Sequence, residues 1–91
     1  MEHKFNKPYS FEGKDYESIS FDLDALTGRD IAAAKREFAA AGGFSAVPAA
    51  DCEFCVLVLA RASKQPKEFF DGLPAKEYQT LAQQVTNFLL G

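Results

Sequence analysis

Three stretches of this 91-residue chain bring together side chains that could do chemistry. Leu26-Thr27-Gly28-Arg29-Asp30-Ile31 sets a guanidinium beside a carboxylate next to a glycine. Cys52-Glu53-Phe54-Cys55 is a C-x-x-C. Glu12, Asp15, Glu17, Asp22 and Asp24 crowd five carboxylates into thirteen positions. An Arg–Asp pair catalyses nothing until a nucleophile or base is brought to it. A C-x-x-C at a helix N-terminus can lower a thiol pKa and exchange disulfides. Clustered carboxylates can hold a cation. His3 is the single histidine, so no second imidazole exists to act as a base. Two sulfurs and one imidazole also fall short of the four ligands of a structural zinc site. No serine stands in a nucleophile elbow, and Gly42-Gly43 lacks the strand-to-helix setting of a phosphate loop. The expectation is no catalytic residue, no metal and no cofactor.

Each stretch also has a plainer reading in the element that would position it. With Thr27 as N-cap, Asp30 can close a capping box and Leu26 can pack on Ile31 as a hydrophobic staple, so LTGRDI is read as a helix start. The C-x-x-C precedes an apolar run and has no βαβ setting, which reads as two small core residues. Alternation puts several of the acidic cluster on the solvent face of a hairpin, where charge discourages edge pairing. His3 is read as solvated in a mobile terminus.

The surrounding pattern is strand first, helix after. Tyr9 and Phe11, then Ile19, Phe21 and Leu23, alternate with polar residues, and Glu12-Gly13-Lys14-Asp15 has turn composition, which predicts a β-hairpin over 8–24. Ile31, Ala34, Phe38 and Ala41 recur at helical spacing, and Gly42-Gly43 can close that helix. Residues 44 to 50 read as a loop. Asp51 is a fitting N-cap for a buried central helix through Val56-Leu57-Val58-Leu59. Pro66 opens a short helix that Gly72 ends, and Pro74 opens a last one with Tyr78, Leu81, Val85 and Phe88 as its stripe. The expected architecture is α+β in a single domain, 1–91: an N-terminal hairpin followed by three to four helices over 27–90.

Composition excludes several classes. At 47% hydrophobic and 25% charged the chain is an ordinary folded one, and a net charge of −3 without a basic cluster argues against nucleic acid or anionic lipid as partner. No apolar run approaches the roughly 20 residues of a membrane span, and MEHKFNKPYS has no signal-peptide core. The nine phenylalanines are a large aromatic load for so short a chain. Phe44, Phe69 and Phe70, with Tyr9 and Phe11 from the hairpin, are the apolar positions least secured by a helical stripe, and are the expected partner contacts. The alternative is that all of them pack inside the monomer.

The order FEGKDYESISFDLDALTGRDIAAAKREF, then an apolar helix ending LARAS, then DGLPAKEYQTLAQQVTNFL, resembles the tail assembly chaperone family of long-tailed phages and prophages, from about Tyr9 to Leu90. The resemblance implies a protein of the host cytoplasm, without catalysis, that binds the helical, apolar tape-measure protein and keeps it soluble until the tail tube is built. It also admits self-association through the same surface. Two rivals follow from other features: a thiol-disulfide protein using Cys52 and Cys55, or a structural component of the finished tail.

Overall fold

Glu12 and Gly13 both take positive φ, 51° and 78°, and lie between the paired residues Phe11 and Lys14. A two-residue loop of this kind matches the twist of an antiparallel pair. It turns β1 (Glu2–Phe11) onto β2 (Lys14–Ser20) in a two-stranded sheet. The computed structural model describes residues 2–43, 46–47 and 50–91. In it the hairpin is followed by a 3-10 turn (Leu23–Ala25) and helices α1 (Gly28–Ala40), α2 (Cys52–Ser63), α3 (Lys67–Asp71) and α4 (Ala75–Leu90). The fold is α+β, as the patterning predicts.

The hairpin departs from the expected bounds at both ends. β1 begins at Glu2 rather than residue 8, and β2 stops at Ser20. Phe21 and Leu23 are buried as their alternation predicts, but Asp22 caps the 3-10 turn by accepting the Asp24 N–H at 3.1 Å, which ends the strand. The ladder also slips within β1. Lys4 pairs with Ser18 and Tyr9 with Tyr16, so five steps along β1 match two along β2, and three extra residues bulge from the strand. On β2, Ile19 lies in the core and Tyr16, three residues before it, packs against it.

Helix boundaries follow local chemistry. Asp51 caps α2 by accepting the N–H groups of Glu53 at 3.0 Å and Phe54 at 3.4 Å. Pro66 and Pro74 stand at the N-caps of α3 and α4, and Gly72 at the C-cap of α3. Gly42, at φ 86°, follows α1, while α2 closes on Lys64 in the left-handed conformation without help from glycine. α2 is buried along its whole middle, Phe54 to Leu59. A helix apolar on all sides must be covered on all sides, and α2 packs against α1, α3, α4 and the 3-10 turn. One ring pair, Phe38–Phe54 at 6.0 Å, joins α1 to α2.

Candidate functional site: the hairpin–α3–α4 junction

Phe69 and Phe70 correct the expectation made for them. Both are fully buried, although neighbours on a helix point in different directions. The physical reason is that α3 is a five-residue helix enclosed by the hairpin on one side and α2 on the other. Phe69 is ringed by Phe5 at 6.4 Å, Tyr9 at 5.1 Å, Phe11 at 5.2 Å, Tyr16 at 5.0 Å and Phe70 at 5.1 Å. Four of these pairs are edge-to-face, the favourable geometry for aromatic quadrupoles. The aromatic surplus of the sequence is therefore largely the cement between hairpin and helices. Tyr9 and Phe11 are half-buried on the margin of this cluster, and Phe44 lies outside the described residues.

Tyr9 is held at its tip as well as its ring. Its hydroxyl donates to the Phe69 carbonyl at 2.7 Å, and burial followed by the charge of Asp71 pushes its pKa up. Gly72 makes the approach feasible, since a Cβ there would stand 2.5 Å from the Tyr9 hydroxyl oxygen.

A second clamp lies beside it. Glu77, in the first turn of α4, is buried. One carboxylate oxygen lies 3.1 Å from His3 Nε2, and the other accepts the Asn6 N–H at 3.0 Å. The bulge frees that N–H from the ladder. His3 is thus no mobile, solvated residue: its side chain is 12% exposed and its ring meets Phe5 edge-on at 5.6 Å. Nothing in sequence spacing joins positions 3, 6 and 77. The one available signal is a glutamate beside the apolar stripe of α4.

The remaining candidates separate. Asp30 accepts the Thr27 N–H at 3.0 Å, completing the capping box, but its cation is Arg61 of α2 at 3.4 Å rather than Arg29. Arg61 also reaches Glu37 at 3.1 Å and so ties α1 to α2. The backbone bond from Thr27, with the Arg61 guanidinium assisting, holds the Asp30 carboxyl below the usual carboxylate range. A depressed carboxylate contributes stability above its unfolded pKa, and the contribution is lost as pH falls through the folded value. Asp30→Asn is therefore expected to be less stable than the parent at pH 6, with the gap narrowing below about pH 4. Thermal melting across pH 3 to 6 measures this; a gap that stays constant with pH would reject it.

Cys55 is fully buried, its Sγ 3.2 Å from Thr86 Oγ1, and burial raises its pKa. Cys52 is half-buried and donates to Gln79 Oε1 at 3.3 Å. A raised thiol pKa works against nucleophilic exchange, and both sulfurs serve the α2–α4 contact. The carboxylates Glu12, Asp15, Glu17, Asp22 and Asp24 are all exposed. Among the described residues no group of three or more His, Cys, Asp or Glu side chains is placed to hold a metal ion.

The junction thus offers a packed aromatic scaffold, a buried clamp and an adjoining surface. The sequence family described as phage tail assembly chaperone proteins, E, or 41 or 14, matches residues 2–90. The chain belongs to this family. No curated protein and no solved structure gives a significant match. The role of a tail assembly chaperone is in building the phage tail, and the family implies a tail protein as partner. Among the described residues three large apolar side chains are exposed: Val47 at 52%, Phe88 at 38% and Leu90 at 61%. Phe88 departs from the expected stripe. The buried face of α4 runs through Glu77, Leu81, Ala82 and Val85, with Leu89 packed against the core, which turns Phe88 outward. Among the described residues, no helix of the chaperone is long and apolar enough to cross a membrane.

Proposed function

We propose that this tail assembly chaperone acts in the host cytoplasm by binding the tape-measure protein, keeping it soluble until tube subunits displace it, without chemistry of its own. The family match across residues 2–90 carries this reading. The surface supports it in kind: Phe88 and Leu90 on the last turn of α4 stay exposed, and such residues suit an amphipathic helix that has not yet found its place in the tail. Reversible capture favours several modest apolar contacts over one very tight anchor.

Co-expression with the tape-measure protein of the same tail gene cluster is expected to raise its soluble yield and give a complex on size exclusion. Phe88→Asp with Leu90→Asp is expected to weaken that complex about tenfold while changing stability by no more than about 0.5 kcal/mol, as for surface sites. A tape measure equally insoluble with and without the chaperone would refute the reading.

A further inference from the structure

The β1 bulge and the first turn of α4 enclose a cleft of about 440 Å³. Its walls are the side chains of Phe5, Pro8, Tyr9 and Pro74, and two lysines, Lys7 and Lys76, join the lining. Both lysines are exposed. The only acid in the lining is Glu77, whose two oxygens are engaged by His3 and by the Asn6 N–H. A molecule of net charge −3 thus places two cations around an apolar hollow and ties down the one carboxylate there.

We infer that this cleft is a docking site for an acidic amphipathic segment of a partner protein, which seats an apolar side chain against Phe5, Pro8, Tyr9 and Pro74 and sets flanking carboxylates against Lys7 and Lys76. The volume is at the low end of the roughly 300–1,000 Å³ of ligand pockets. A small ligand, however, needs convergent polar groups to fix its orientation, and Glu77 is already committed to the fold. An apolar anchor from a longer segment needs no such groups, because orientation comes from the chain on either side and from the charges at the margin. The geometry is held from beneath: Glu77 fixes the bulge, and the Tyr9 hydroxyl fixes the ring that forms one wall. A hollow that keeps its shape when empty lowers the ordering cost of binding. This inference rests on the chaperone reading only in taking the occupant to be a protein.

The test uses the full chain, isotope-labelled for amide NMR, and two synthetic helical peptides with the same leucine stripe, one flanked by glutamates and the other by lysines. The glutamate peptide is expected to shift the amides of Asn6, Lys7, Tyr9, Lys76 and Glu77, and the lysine peptide to bind at least about tenfold more weakly. Lys7→Glu with Lys76→Glu should reverse that preference with unchanged melting, since both side chains are exposed and an added carboxylate suits the first turn of α4. Shifts located elsewhere, or equal binding of the two peptides, would overturn the proposal. Tape-measure capture is scored separately. Capture with no shifts at the cleft rejects this site alone, and cleft binding without capture rejects the tape-measure reading alone.

Discussion

Phe69→Ala is expected to cost about 3–5 kcal/mol, the range for truncating a buried phenylalanine. A chain of this length has roughly 5–14 kcal/mol of total stability, so the variant should melt roughly 12–40 °C lower, at about 4–8 °C per kcal/mol. The expectation comes from where the ring sits. Phe69 is 0% exposed and touches five other aromatic rings, four of them on the hairpin. Removing it leaves a cavity at the centre of the contact between the hairpin and α3, and an isolated hairpin is only marginally stable. Loss of hairpin protection in hydrogen exchange should accompany the fall in melting temperature. A change within about 0.5 kcal/mol, as for a surface residue, would show that the ring is not central. Reduced partner capture by a Phe69 variant would therefore report unfolding, and interface mapping belongs on the exposed residues.

Glu77→Ala should follow, at about 2–4 kcal/mol. The substitution removes the partner of the Asn6 N–H and of His3 at once, two part-buried bonds to a charged group of about 1.5–3 kcal/mol each at most. Glu77→Gln separates the causes. Its amide oxygen can still accept from Asn6, so this variant is expected to lose about 1 kcal/mol and keep the Asn6 amide protected from exchange. Equal losses in the two variants, with Asn6 protected in both, would mean that the clamp is not made by hydrogen bonding. The clamp also fixes the first residues of β1: a strand near a chain end holds its place only where something ties it down, and the tie comes from a helix more than seventy residues away.

Local chemistry was legible in the sequence wherever an element is decided by its own residues. Asp51, Pro66, Gly72 and Pro74 stand at helix ends as read, Thr27 and Asp30 form their box, and the apolar run after Cys55 forms a helix. Order of motifs was legible too, since the resemblance to tail assembly chaperones agrees with the family match. Three residues of the expected α4 stripe, Tyr78, Leu81 and Val85, meet the core, while Phe88 turns outward and Leu89 packs in its place, because periodicity alone does not say where along a helix its neighbours end.

The sequence by itself determined where helices start and stop, that the first quarter is a hairpin, and which family the chain resembles, because capping, turn and period signals act over a few residues. Tertiary structure alone decided that Phe69 and Phe70 lie inside and Phe88 outside, that Arg61 rather than Arg29 answers Asp30, and that Glu77 holds His3 and Asn6. Those outcomes depend on which faces meet once distant segments pack. Burial is a property of the whole assembly of elements, and a side chain's own neighbours in sequence do not carry it.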